Sequence, residues 1–322
     1  MLRLREVLSG KGAAEKIQER APGQKRLAAS RPPEKKSGAF SFVNAFDEGG
    51  GKMTLGLDLG GTTTDIVGFL KDNMIEPLTV RADDPVASAS GALGRFLHTN
   101  NLDLNIIRTI ALTGVGTGLI GNTLLGVPIK KIDEFTAIGL GGCYLSGKSE
   151  GIVVSMGTGT AIVDVKEKHI EHWGGTGLGG GTVIGLSKYL LRTLDIQRIV
   201  RKALNGDLSK VDISVGDIST AEITGLPNDT TASNFGKAGD DASDNDLAIA
   251  IINLVCQNIG VLAVCAARCT GNPSIILTGK LATIPQMKSI CDNLSILYNK
   301  TFIIPEKAQF ATAIGAALAI EL

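Results

Sequence analysis

Aromatic residues are scarce in this chain of 322 residues, in which Phe, Tyr and Trp together make up 4%. Ligand sites built from stacked rings are therefore not expected. A net charge of either sign is also lacking, because 32 Lys and Arg balance 32 Asp and Glu, and this argues against a nucleic-acid binder. Glycine is abundant instead, at 41 residues, which favours loops that approach ligands closely.

Cysteines are few, and a membrane span is not indicated. The five cysteines are odd in number and scattered, mostly in apolar surroundings, as expected for reduced thiols in a cytoplasmic protein. Cys265 and Cys269 are four residues apart on a predicted helix, a spacing that suits a metal or a cluster, but no histidine accompanies them. The longest apolar segment, 247–267, contains Asn253 and Asn258, which indicates a buried or interface helix.

The length and the 43% apolar content predict a large core and about two domains. Residues 1–52 do not resemble the start of a fold, because they are polar, basic and rich in glycine. They are interpreted as an appended arm, an organellar presequence, or upstream sequence translated ahead of a start at Met53, and we favour the last. The expected divisions are therefore a disordered or mis-started leader at 1–52, one lobe at 53–148 and a second at 149–322.

The stretch Met53–Leu70 has two apolar runs joined by a polar turn, Gly60–Thr64. This pattern predicts a β-hairpin. The two glycines let the backbone come close to a ligand, and the N–H groups and hydroxyls of three consecutive threonines suit phosphate oxygens. Asp58, at the mouth of the turn, offers a carboxylate for a hydrated Mg²⁺. The alternative is a glycine-rich hairpin without a ligand.

A second strand–turn–strand unit at residues 151–165 repeats this arrangement around Gly157–Thr160. Two such hairpins, about a hundred residues apart, predict a duplicated fold that holds a nucleotide between its halves. A third glycine-rich stretch, Gly174–Thr182, opens a helix predicted over 183–194 and so has the features of an anion site. Its glycine spacing does not match the dinucleotide fingerprint, Asp195 is predicted to lie inside a helix, and the sequence has no P-loop pattern.

Glu134 lies where an extended run leads into a glycine-rich helix predicted over 135–145. A carboxylate at this junction favours the helix N-terminus electrostatically, or alternatively serves as a general base facing a cleft. Other helices are predicted over 83–100, 246–269 and 309–320.

Six motifs carry a resemblance to a known family: Asp58–Thr62, Leu112–Gly114, Asp133–Phe135, Met156–Thr160, Gly174–Thr182 and Thr231–Gly236. Together they resemble the type II pantothenate kinases of the actin, sugar-kinase and Hsp70 superfamily, over residues 53–322. The resemblance implies an α/β, duplicated actin-like (ribonuclease H-like) ATPase fold, with two lobes and a nucleotide cleft between them. It also implies ATP-dependent phosphorylation of pantothenate to 4′-phosphopantothenate, the first step of coenzyme A biosynthesis.

The resemblance assigns roles to individual residues. Glu134 corresponds to the carboxylate that takes the proton from the pantothenate hydroxyl, and Asp58 to the residue that holds Mg²⁺ through water. The residues expected at ATP, besides Asp58, are Gly60, Gly61, Thr62, Thr63, Thr64, Gly157, Thr158, Gly159, Thr160, Gly180, Gly181, Thr182, Val183, Ile184, Ile196, Gly279 and Lys280. Those expected at the substrate are Thr113, Gly114, His172 and Gly175.

Partners follow from the same resemblance. The helix predicted over 246–269 has more apolar surface than one face needs, and together with the resemblance this predicts a homodimer. Coenzyme A or an acyl-CoA is expected as a feedback ligand of the substrate pocket.

Two positions depart from the family pattern. His172 replaces an arginine that helps to bind the pantothenate carboxylate, and an imidazole is a weaker partner for a carboxylate than a guanidinium. Ala161 replaces a serine at the end of the second hairpin. Three other functions are open: a kinase acting on pantetheine or a sugar, an ATPase activator of a 2-hydroxyacyl-CoA dehydratase, and a nucleotide sensor without catalysis.

Overall fold

Two mixed β-sheets with the same strand order form the framework of the fold. The structure, a computed structural model, describes residues 52–81, 84–167, 169–219, 221, 223–237, 239 and 241–320. The leader predicted at 1–52 lies outside the described residues except for Lys52, so its interpretation stays a prediction.

The first sheet has six strands. They are β1 (Met53–Leu59), β2 (Thr63–Leu70), β3 (Asn73–Arg81), β4 (Ile107–Thr113), β5 (Thr123–Leu124) and β6 (Val127–Lys131), in the order β3-β2-β1-β4-β6-β5. The predicted hairpin is present, but its second strand begins at Thr63, within the predicted turn, and β3 extends it to a meander. The sequence did not indicate β3 because Pro77 interrupts it, which an edge strand tolerates.

The second half of the chain forms a five-stranded sheet and a separate two-stranded pair. The strands are β7 (Gly151–Met156), β8 (Thr160–Lys166), β9 (His169–Thr176), β10 (Ile213–Ser214), β11 (Thr231–Ser233), β12 (Ser274–Thr278) and β13 (Thr301–Ile303). The sheet order β9-β8-β7-β12-β13 repeats β3-β2-β1-β4-β6, with two antiparallel pairs followed by two parallel pairs in each case. This repeat confirms the predicted duplicated fold.

The described helices are α1 (Pro85–Asn100), α2 (Glu134–Ser146), α3 (Gly180–Leu190), α4 (Ile196–Ala203), α5 (Val215–Ile218), α6 (Asp244–Thr270), α7 (Pro285–Tyr298) and α8 (Ala311–Leu318). The helix predicted over 183–194 was placed too late, since α3 begins at Gly180 and ends before Arg192, which has a left-handed φ of 52°. Asp195 was wrongly predicted inside a helix. It caps α4 instead, because its carboxylate accepts a hydrogen bond of 2.9 Å from the Gln197 amide.

Helices α2 and α8 pack against each other and connect the two sheets. α8 contacts β1, β2 and β4, although it follows the second sheet in the chain, and α2 contacts β7, β8 and β9, although it follows the first. The crossing is tight, since a Cβ on Gly141 would lie 1.8 Å from the Ala311 carbonyl oxygen. Each half of the chain thus sends one helix onto the other sheet, and Glu134 begins the first of these helices.

Among the described helices, only α6 is long and apolar enough to cross a membrane, yet 61% of its apolar window is buried inside the fold. It packs on the second sheet and on α3, α4 and α7, as the predicted buried helix requires. The homodimer predicted from the apolar surface of this helix stays a prediction. A narrow stripe of the helix is not buried; it contains the exposed Leu262, Cys265 and Cys269 and the half-buried Leu254 and Asn258.

Candidate functional site

The tips of the two predicted phosphate hairpins face each other across a cavity of about 300 Å³. A hydrogen bond of 3.0 Å from the Gly60 amide to the Thr63 carbonyl closes the first turn. A Cβ on Gly61 would lie 4.0 Å from the Thr158 hydroxyl of the second tip. Many of the predicted nucleotide-site residues line this cavity, namely Asp58, Gly60, Gly61, Thr62, Thr63, Gly157, Thr158, Gly180, Gly181, Ile184, Ile196, Gly279 and Lys280.

Another part of the cavity wall is aliphatic. Its side chains come from α3, from the start of α4 and from the segment after β12, and they are Ile184, Ile196, Leu281 and Ile284. Glycines, threonines and charged groups line the hairpin side. A nucleotide divides in the same way, into a flat base and a charged phosphate chain, so the cavity has the chemistry to hold one.

Three carboxylates interact electrostatically beside the first hairpin. Asp58 and Asp65 are direct partners across β1 and β2, and both line the cavity. Burial, then the charges of Asp65 and Glu134, raise the pKa of Asp58 from 3.8 to about 7, against the opposing influence of Lys280. A carboxyl group in these surroundings gains from a bound cation.

A buried hydroxyl without a hydrogen-bond partner lies next to Asp58 in the sheet. It belongs to Thr113, the partner of Asp58 on β4. Thr64 has another unpaired buried hydroxyl, but as the partner of Leu59 on β2 it lies on the opposite face of the sheet. An unpaired buried oxygen next to a repelled carboxylate fits a hydrated Mg²⁺, which keeps several of its waters. The described residues contain no group of three His, Cys, Asp or Glu that could hold a metal ion.

Lys280 reaches across the cavity from the second sheet to the first hairpin. Its Nζ lies 2.9 and 3.1 Å from the two carboxylate oxygens of Asp65 and also contacts the Thr63 hydroxyl. Gly279, just before it, has a φ of 86°, and a Cβ there would lie 2.5 Å from the Met156 carbonyl oxygen. The close backbone contact at Gly279 therefore fixes where the Lys280 side chain begins.

The adjacent carboxylates Asp133 and Glu134 have different environments at the start of α2. Asp133 is the helix cap, and it accepts hydrogen bonds of 2.8 and 2.9 Å from the amide and hydroxyl of Thr136. The Glu134 carboxylate makes no hydrogen bond to another described residue. Partial burial and the charge of Asp133 raise its pKa. An unpaired carboxylate with a raised pKa beside a phosphate site suits a general base.

The residues predicted at the substrate lie around these carboxylates, with one exception. A Cβ on Gly114 would lie 2.6 Å from Asp58 Oδ1, so the Thr113–Gly114 corner contacts Asp58. The His172 ring stacks on Phe135, with the ring centroids 3.8 Å apart and an angle of 8° between the planes. Since Phe135 follows Glu134 directly, the imidazole lies close to the candidate base. Gly175 instead packs its backbone against Thr160.

Five residues predicted at the nucleotide are not part of the cavity wall. They are Thr64, Gly159, Thr160, Thr182 and Val183. The Thr160 hydroxyl donates to the Leu178 carbonyl at 2.8 Å and the Thr182 hydroxyl to the Gly177 carbonyl at 2.9 Å, so both brace the third glycine loop.

The first two amides of α3 are occupied as well. The Gly180 amide donates to the Gly157 carbonyl at 2.8 Å and the Gly181 amide to the Thr158 carbonyl at 2.9 Å. These two N–H groups hold the second hairpin and are not free for an anion, contrary to the sequence expectation.

Six residues of the wall were not predicted: Asp65, Ser155, Leu281, Ile284, Gln309 and Thr312. Asp65 was missed because the turn predicted at Gly60–Thr64 pairs it with Leu59, whereas the structure pairs Leu59 with Thr64 and Asp58 with Asp65. Ser155 lies directly opposite Ala161 on the neighbouring strand. A serine hydroxyl is therefore present next to the position where Ala161 replaces the serine of the family pattern. Gln309 and Thr312 come from the far end of the chain, and no local pattern points to them.

Known proteins resemble this chain over most of its length. The Fumble family model matches residues 151–305. A type II pantothenate kinase from Bacillus cereus is 31% identical over 278 residues, covering 83% of this chain and 98% of that protein.

Solved structures share the fold. The activator of the 2-hydroxyisocaproyl-CoA dehydratase from Clostridium difficile, with bound ADPNP, has a TM-score of 0.59 at 16% identity, covering 83% of this chain and 93% of that one. A ROK family glucokinase from Streptomyces griseus, in complex with glucose and AMPPNP, has a TM-score of 0.53 at 11% identity, covering 83% and 98%. At these identities the likeness concerns the actin-like fold alone.

Proposed function

Because the chain belongs to the type II pantothenate kinase family, we propose that it transfers the γ-phosphoryl group of ATP to pantothenate, forming 4′-phosphopantothenate in coenzyme A biosynthesis. One observation carries the proposal: the Glu134 carboxylate has a raised pKa and no helix-capping role, and its charge reaches Asp58 on the wall of the cavity between two phosphate hairpins. Neither a sensor nor a structural module needs a free carboxylate there.

Phosphoryl transfer depends mainly on positioning and on charge stabilisation. The tips at Gly60–Thr63 and at Gly157–Thr158 hold the phosphate chain from two sides. Glu134 accepts the proton of the acceptor hydroxyl as that oxygen attacks, and its raised pKa makes it a stronger base near neutral pH. Mg²⁺ held by Asp58 through water would neutralise charge on the phosphate oxygens.

The acceptor lies on the other side of Glu134 in this proposal. His172, fixed by its stacking on Phe135, binds the pantothenate carboxylate. The Thr113–Gly114 corner forms the opposite boundary. Coenzyme A or an acyl-CoA, which share the pantothenate moiety, would compete for the same space and act as feedback ligands.

The remaining inferences concern the setting of the enzyme. The exposed stripe of α6 supports a homodimer, since Leu254 and Leu262 are apolar and lie on one face, although the surface is narrower than the sequence suggested. The free cysteines fit a cytoplasmic protein.

An acceptor panel tests the proposed substrate. ADP release would be followed with pantothenate, pantetheine, N-acetylglucosamine and glucose at matched concentrations, with a no-acceptor control. We expect pantothenate to give the highest kcat/KM. A higher value for a sugar, or release that no acceptor increases, would overturn the assignment.

A further inference from the structure

Resting on the proposed function, we propose that Lys280 is a phosphate-binding residue that the second lobe supplies to the nucleotide. In the ligand-free chain its ammonium group is held by Asp65 and Thr63, and it turns to the terminal phosphates when a nucleoside triphosphate enters. Asp65 then acts as the group that holds and releases this cation.

The first support is position. The Lys280 ammonium contacts Thr63, a residue of the first phosphate hairpin, and lies within 3.1 Å of both Asp65 oxygens. It therefore already stands at the hairpin that faces Thr158, where the phosphate chain would pass. The Lys280 side chain is 42% exposed, whereas that of Asp65 is 8% exposed, so the lysine can turn without leaving a buried void.

The second support is charge. Among the described residues that line the cavity, Lys280 is the one cation, and Asp58 and Asp65 are the anions. A triphosphate entering beside two carboxylates needs a compensating charge in addition to Mg²⁺. The influence of Lys280 reaches the neighbouring carboxylate, since it opposes the rise in the pKa of Asp58.

The competing interpretation is that Lys280 and Asp65 form only an ion pair between the two halves of the chain. Lys307 is a matched control, because its ammonium pairs with Glu76 of β3 at 2.5 Å and joins the same two parts of the chain outside the cavity. Loss of the Lys280 pair should lower stability more, because it leaves Asp65, which is 8% exposed, without a partner, whereas Glu76 is 74% exposed. Only Lys280 should distinguish nucleotides by their phosphates.

The test measures binding by calorimetry for adenosine, ADP and a non-hydrolysable ATP analogue, with Mg²⁺ present. We expect Lys280→Met to weaken binding of the ATP analogue about tenfold to a hundredfold, the range for a lost charge-assisted hydrogen bond. Adenosine binding should change less than about twofold, and Lys307→Met should leave all three constants near wild type. Lys280→Arg, which keeps the charge, should recover most of the preference for the triphosphate.

A second measurement needs no variant. Labelling of the wild-type chain with an amine reagent, read by mass spectrometry, should show Lys280 protected by the ATP analogue but not by adenosine. A Lys280→Met chain that binds the analogue as wild type does, or equal labelling with both ligands, would overturn the proposal. A chain that binds ATP but phosphorylates no pantothenate would refute the proposed acceptor. The comparison of nucleotide binding between the wild type and the Lys280 variants would still be valid.

Discussion

Replacing Asp58 with Asn should stabilise the ligand-free protein at about pH 8 and have little effect near pH 4. The carboxyl group has a pKa of about 7 in the fold, against 3.8 for the ordinary group. The folded chain therefore keeps a proton that the unfolded chain releases in this interval. The ionised group lowers the free energy of unfolding, and this effect grows as the pH rises from about 4 to about 7 and stays constant above that.

The size of the effect follows from the pKa difference. At 1.36 kcal/mol for each pKa unit, the change from 3.8 to about 7 corresponds to at most about 4 kcal/mol. Asp58 is partly exposed, so solvent screening reduces this cost. We therefore expect Asp58→Asn to raise the free energy of unfolding at pH 8 by roughly 2 kcal/mol. In a protein of this size that gain raises Tm by roughly 4–8 °C at pH 8.

Thermal unfolding of the ligand-free chain from about pH 5 to pH 8 measures this effect directly. Asp103→Asn is the control, because the Asp103 side chain is exposed and makes no capping hydrogen bond. The Tm difference for Asp58→Asn should increase with pH, while the control stays flat. A constant difference across the range, or an Asp58→Asn chain that is less stable at pH 8, would refute the reasoning.

Four further predictions concern catalysis, substrate, thiols and an iron–sulfur cluster. Glu134→Gln should bind nucleotide as wild type does but lose about 10²–10⁴-fold in kcat, and near-normal turnover would remove its role as base. Because a guanidinium is a stronger partner for a carboxylate than an imidazole, His172→Arg should lower the KM for pantothenate. The KM for pantetheine, which lacks the carboxylate, should not change, and equal effects on both substrates would exclude the contact. Cys265 and Cys269, on the α6 stripe, should react rapidly with a thiol reagent in a monomer and slowly in the proposed dimer, whereas burial, which raises the pKa of Cys256 to about 12, should protect that thiol until unfolding. Protein purified without oxygen should be colourless, and a brown iron–sulfur chromophore would favour the activator function.

The repeated hairpins were readable in the sequence because glycine and threonine turns between apolar runs have a local signature. The duplicated fold and most of the cavity wall follow from that signature. Glu134 was readable for the same reason, since a strand, a cap and a helix start follow each other there.

The rest depends on contacts between distant parts of the chain. The Lys280–Asp65 pair joins residues 215 positions apart, and no periodic pattern encodes it. Gln309 reaches the cavity only because α8 packs on the first sheet. β3 and β9 lacked a clear strand pattern, since edge strands that face solvent need no continuous apolar run.

The most direct test of the central claim is to identify the product. Purified chain would be incubated with pantothenate, Mg²⁺ and ATP, and the phosphorylated compound analysed by mass spectrometry and NMR. We predict one phosphoryl group on the primary hydroxyl of pantothenate, formed in equal amount to ADP, and formed about 10²–10⁴-fold more slowly when Glu134→Gln replaces the wild type. ADP formed without phosphorylated pantothenate, or product formed equally well by the Glu134→Gln chain, would contradict the account.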